Sequence, residues 1–311
     1  MTNSQQALVR GMPWVFVLIW STGFVVARFG MPHAPPLSFL SARYALSILC
    51  FGVWILLSQA PWPSGRDQWL HLAVVGVLLQ AGYLGGVWSA VKVGMGAGTA
   101  ALLVGFQPVL TALWVTLRTP AGGGSGHAAA RVTPRQWLGL AFGLCGLVLV
   151  VWRKLDVGEV TALSFAMAMV ALLSITAGTL YQKRFVRPCD VRTASTVQML
   201  AALVVTLPLA LLESEPMSMH PELIGALAWS VLGLTLGGSS LLYLLIQRGA
   251  ATQVSSLMYL VPPCTALLAW FLFGEPFTPM MALGLLLTAL GVALVTASVR
   301  RPVVARRIED Q

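Results

Sequence analysis

The sequence predicts an all-α polytopic membrane protein: ten transmembrane helices forming two inverted five-helix repeats, with both termini inside. Three observations predict it. Of the 311 residues, 57% are hydrophobic and only 9% charged, against about 25% charged in a soluble domain. The apolar residues fall in ten continuous runs. The basic residues fall mostly on alternate connections between those runs.

A bilayer core about 30 Å thick needs about 20 apolar residues per helix. The runs lie at 13–29, 37–58, 68–91, 96–118, 135–152, 159–182, 192–212, 222–246, 250–273 and 278–299. PHAPP at 32–36, PWPSGRD at 61–67 and AGGGSGHAAA at 121–130 separate some of them. A membrane barrel strand alternates polar and apolar residues; these runs do not, so they are helices.

Lys and Arg set the orientation. With the N-terminus inside, fourteen fall on the inner side (Arg10, Arg66, Arg118, Arg131, Arg135, Lys183, Arg184, Arg187, Arg192, Arg248, Arg300, Arg301, Arg306 and Arg307). Four fall outside: Arg28, Lys92, Arg153 and Lys154. Arg43 lies within a helix. The net charge of +9 therefore reads as topology, with the lipid bilayer as partner and no nucleic acid. The segment 300–311 is a basic cytoplasmic tail. The run after Arg10 has no clear A-x-A cleavage site and reads as a retained first helix. Cys50, Cys145 and Cys264 sit inside apolar runs and Cys189 in a basic loop, so neither a disulfide framework nor a cysteine metal site is expected. No cofactor and no metal are expected.

The repeat is clearest at the end of each half. TPRQWLGLAFGLCGLVLV (133–150) aligns with TPMMALGLLLTALGVALV (278–295), eight of eighteen positions matching. Upstream, an offset of 155 pairs Gly23 with Gly178, Arg28 with Lys183, Gly82 with Gly237, Gly94 with Gly249 and Pro108 with Pro263. The Gly/Ala-rich insertion after Pro120 accounts for the change to an offset of 145. Five helices per unit is an odd number, so the second unit enters from the opposite side, a construction recurrent in secondary transporters.

WSTGFVVARFGMPHAPPLSFLSARY (20–44) resembles the opening of an EamA domain, and FLFGEPFTPMMALGLLLTALGVALV (271–295) resembles its closing two helices. The resemblance is to a two-domain EamA member of the drug/metabolite transporter superfamily, with units at 13–152 and 158–299. It implies a bacterial inner-membrane carrier, commonly an exporter of amino acids or other small metabolites. Gly274-Glu275 has no acidic counterpart before Thr133, where the insertion sits.

Candidate site residues follow from polar or breaking groups at depth. Pro108 and Pro263 each free a carbonyl one turn earlier, at Val104 and Tyr259; the pair reads as a hinge beside a cavity or as a structural kink. Gln80 and Gln107 either meet substrate or bond a neighbouring helix. Arg43, paired by the repeat with Gln198, either binds an anionic group or snorkels outward. Trp20, Tyr83 and Tyr259 are expected as cavity walls, joined by Tyr243, while Trp88 and Tyr181 fit interface anchors. Gly82-xxx-Gly86, Gly94-xxx-Gly98 and Gly139-xxx-Gly143 fit close helix packing. All ten acids lie in loops or at helix ends, so a midplane carboxylate relay is not expected. An enzyme needs clustered nucleophiles, acids or metal ligands, and a channel needs a charged ring or filter; neither pattern is present. The sequence leaves amino acids, other metabolites and amphipathic drugs open as substrates, and likewise the coupling ion and oligomeric state.

Overall fold

A computed structural model describes residues 3–118, 134–156, 158–247 and 258–299, and within these every regular element is helical. Helix α1 is Asn3–Gly30 and α2 is Pro36–Ser58. Helix α3 runs through three stretches, Arg66–Gly76, Val77–Leu84 and Gly85–Lys92, the middle one π-helical. Ala97–Val104 and Gln107–Arg118 form α4 and α5. Pro134–Asp156 is α6, Ala162–Phe185 α7 and Val191–Ala210 α8. Helix α9 again has three stretches, Pro221–Ala228, the π-helical Trp229–Gly238, and Ser239–Gln247. A 3-10 turn, Met258–Leu260, leads into α10, Val261–Phe273, and α11 is Pro279–Val299.

Among the described residues, seven spans are long and apolar enough to cross a membrane, and three shorter apolar helices accompany them. The all-helical polytopic membrane class is therefore the observed one. Two expectations change. The run at 96–118 is not one kinked helix: it breaks at Gly105 and Phe106, and Pro108 becomes the second residue of α5. A proline there costs nothing, because the first turn has no partner for its N–H. The expected start of the ninth run, 250–257, lies outside the described residues, and Pro262 and Pro263 open α10. The π-helical stretches were not expected at all.

Packing contacts recur in repeat-matched pairs. A Cβ on Gly146 would lie 2.5 Å from the Gly284 carbonyl oxygen, and one on Gly291 2.5 Å from that of Gly139. These are the glycines of the aligned blocks, and they bring α6 and α11 together antiparallel. Likewise Gly23 faces Leu234, and Gly178 faces Leu79, again related by 155. The π-helical stretch Val77–Leu84, moved by 155, falls on 232–239 and overlaps Trp229–Gly238.

One face of the bundle gathers carboxylates. Glu213 accepts from the Leu37 and Ser38 backbone N–H groups, at 3.0 and 2.8 Å, at the start of α2. Glu275 accepts from Ala97 N–H at 3.0 Å, and Glu159 from Gly96 N–H at 3.2 Å and from Thr99 Oγ1 at 2.9 Å, at the start of α4. A helix N-terminus has unpaired N–H donors and a partial positive charge, so each acid binds a helix of another part of the chain. Lys154 pairs with Glu159 and Lys92 with Glu215.

Gly146→Leu and Gly291→Leu are each expected to lower thermal stability, overpacking costing about 1–3 kcal/mol. Gly52→Leu, with open space around it, is expected to be neutral. Melting of the detergent-solubilised variants checks the contrast.

Candidate functional site

The helix interruptions converge on two adjoining cavities. The larger, about 280 Å³, is lined by α1, α2, α3, α7, α8 and α9. The smaller, about 160 Å³, lies between the α4–α5 break, the start of α10, and α11. Trp20, Phe24, Tyr83 and Ile175 border both.

Of the expected residues, Trp20, Arg43, Gln80 and Tyr83 line the larger cavity. Gln107, Pro108 and Pro263 line the smaller. The side chains of Tyr243 and Tyr259 lie outside the described residues. Arg43 does not snorkel. It is 8% exposed, and its Nη2 donates to Thr235 Oγ1 at 3.1 Å. Its guanidinium forms no ion pair with a carboxylate among the described residues. Thr235 is itself anchored, donating to Ser230 O at 2.8 Å. Thr235 is the repeat counterpart of Gln80, a signal present in the sequence and not drawn there.

Gln107 donates to Thr179 Oγ1 at 3.0 Å on a neighbouring helix and also lines the smaller cavity. The π-helical stretch of α3 puts Gln80 on the cavity, and the Gln80 carbonyl accepts from Tyr44 Oη at 2.8 Å. π-Helical turns are rare and cluster at functional sites. In both halves one lies beside Arg43's surroundings, carrying Gln80 and Tyr83 on α3 and Leu234 and Thr235 on α9.

Trp88 corrects the sequence reading. It is no interface anchor: it is 1% exposed and stacks on Phe39, ring centroids 4.4 Å apart. Phe39 and Trp88 lie three or four residues from the helix ends at the carboxylate face, and Arg43 lies deeper, about 10 Å along α2 at 1.5 Å per residue. With Leu40, also fully buried, they pack between the cavity and that face. Tyr181 is half-buried at the opposite end of α7 and meets His71 Nδ1 at 2.9 Å.

The model of the EamA-like transporter family matches residues 10–152 and again 162–297. The chain belongs to the EamA-like transporter family. It is similar to the inner membrane transporter YedA of Escherichia coli K12, 26% identical over 96% of this chain and 95% of that protein. A transporter of Archaeoglobus fulgidus is 24% identical over 90% of this chain and 94% of its own. A probable amino-acid metabolite efflux pump of Salmonella typhimurium LT2 is 22% identical over 89% of this chain and 90% of its own. A solved crystal structure covers 97% of this chain and 100% of its own, with TM-score 0.64 at 18% identity; at that identity the likeness concerns the fold alone. The family and the apolar spans make the chain a multi-pass membrane transporter.

Pro108→Ala or Pro263→Ala is expected to lower flux severalfold at normal expression, by letting a continuous helix replace the break beside the smaller cavity. Unchanged flux in reconstituted liposomes would leave the prolines a purely structural role.

Proposed function

We propose that this protein is a secondary carrier for a small metabolite with an anionic group, an amino acid or related compound, exported across the bacterial inner membrane by alternating access. The observation that carries the reading is Arg43. A buried cation without a carboxylate partner is costly; Arg43 has none among the described residues and borders the larger cavity beside Gln80. A substrate carboxylate would complete the pair, with charge-assisted hydrogen bonds to the guanidinium. Trp20, Phe24, Tyr83 and Leu234 offer apolar and aromatic surface to the rest of the molecule.

The larger cavity, about 280 Å³, has room for a metabolite of amino-acid size. The relative named as a probable amino-acid metabolite efflux pump agrees with both class and direction. The reading also takes the two halves as inverted five-helix repeats with both termini cytoplasmic. The paired glycine contacts, the paired π-helical stretches and the fourteen-to-four distribution of Lys and Arg support this. A site between two inverted units is the arrangement in which rocking of one against the other gives alternating access. The carboxylate face then looks outward, and the conformation described is closed on that side. No Asp or Glu from a helix core reaches the cavity among the described residues, so catalysis by a carboxylate pair has no support and a carrier is favoured over an enzyme.

Purified protein in liposomes, tested with a panel of amino acids and related acids, is expected to move at least one of them saturably. Arg43→Gln is expected to cut that flux by about tenfold or more, a charge-assisted hydrogen bond being worth ~1.5–3 kcal/mol. Arg43→Lys is expected to retain part of it. Flux by Arg43→Gln equal to wild type would refute the role given to the guanidinium.

A further inference from the structure

A second cluster lies on the carboxylate face, away from the cavity. His33, in the connection between α1 and α2, meets Glu222 in the first turn of α9: Nε2 lies 2.8 Å from Oε2. His220, the residue preceding α9, has Nδ1 3.9 Å from the same oxygen. The two imidazoles stack, centroids 4.2 Å apart and planes 10° from parallel. One ligand atom from each residue lies within 4.8 Å of the others. The backbone holds the two connections together: Ser218 N–H donates to His33 O at 2.9 Å.

We propose that His33, His220 and Glu222 form a binding site for a divalent transition metal of the zinc class, and that the bound ion clamps the carboxylate face shut. Two imidazoles and a carboxylate, with a fourth position open to solvent, are a donor set that Zn²⁺ takes with water as its remaining ligand. Imidazole donors also separate this class from Ca²⁺ and Mg²⁺, which take oxygen. The three donors need approach by only a small adjustment. His220 and Glu222 are about half exposed and His33 more buried, so an ion from solvent reaches the cluster directly. The Glu222 carboxylate faces the positive helix N-terminus and offsets the repulsion a cation would meet there. His220 Nδ1 accepts from Glu222 N–H at 3.3 Å; the ion takes over that lone pair.

The ligands come from both halves of the chain, His33 from the first and His220 and Glu222 from the second. In an alternating-access cycle this face must part to expose the cavity, so an ion bridging it stabilises the closed form by mass action. That inhibitory consequence rests on the carrier reading above; binding itself does not.

The probe is Zn²⁺ added to the full-length protein, purified without a histidine tag. Calorimetric titration is expected to show one site, and Zn²⁺ to raise the melting temperature. His33→Asn and His220→Asn, taken forward once gel filtration shows each folded like wild type, are each expected to weaken binding by about tenfold or more, two donors of a three-donor set remaining. Glu222→Gln is expected to weaken it less. In liposomes, Zn²⁺ on the carboxylate side is expected to slow flux by wild type and not by the His33→Asn, His220→Asn double variant. Absence of Zn²⁺ binding by wild type, or binding undiminished in the double variant, overturns the site and leaves an ordinary His–Glu ion pair. Zn²⁺ binding that leaves wild-type flux unchanged overturns the clamp. Failure of all flux with Zn²⁺ binding intact overturns the carrier reading and with it the clamp, while the metal site stands.

Discussion

Inside a bilayer, a backbone carbonyl that loses its helical partner has no water to turn to, and this constraint organises the rest of the structure. Among the described residues, the breaks and π-helical turns within the apolar helices lie where protein groups or a cavity can meet them. Gly105 and Phe106 break the α4–α5 path beside the smaller cavity, opposite the prolines that open α10. The π-helical stretches of α3 and α9 border the larger one. Tyr44 supplies a hydroxyl to the Gln80 carbonyl, and Thr235 one to that of Ser230. Departures from the regular helix therefore mark the cavity more sharply than any single side chain does.

Charge obeys the same constraint. The described carboxylates stay at the faces, where those of Glu159, Glu213 and Glu275 bind the N-termini of helices from elsewhere in the chain. The stacked pair of Phe39 and Trp88 lies beneath them. Together they pack one face of the bundle. Among the described residues Arg43 is the exception: a guanidinium at depth, its Nη2 donating to the neutral hydroxyl of Thr235. Its position follows from α2, and its aim from the π-helical turn that carries Thr235.

Much of this was legible in the sequence because its signals are local or periodic. Runs of about 20 apolar residues mark helices, and the TPxxxLGLxxxxxGxxLV block anticipates the α6–α11 contact, because glycine is where two backbones approach most closely. Polar residues at depth, such as Arg43, Gln80 and Gln107, stand out against an apolar background. What was hidden depends on non-local geometry. A π-helical turn needs one extra residue absorbed in an unbroken apolar run, and the run looks the same with or without it. Trp88 resembles an anchor by its distance from a helix end, yet its neighbour Phe39 comes from another helix. Likewise, His33 and Glu222 are 189 residues apart, and only the folding of two connections onto one face brings them together.

On the proposed reading, Arg43 receives the anionic group of a small substrate in the larger cavity. The most direct test is equilibrium binding to the purified wild-type protein of amino acids alongside their carboxamides, which keep shape and lose the negative charge. At least one free acid is expected to bind saturably and its amide about tenfold or more weakly, in line with the strength of a charge-assisted hydrogen bond. Equal affinity for acid and amide would contradict it.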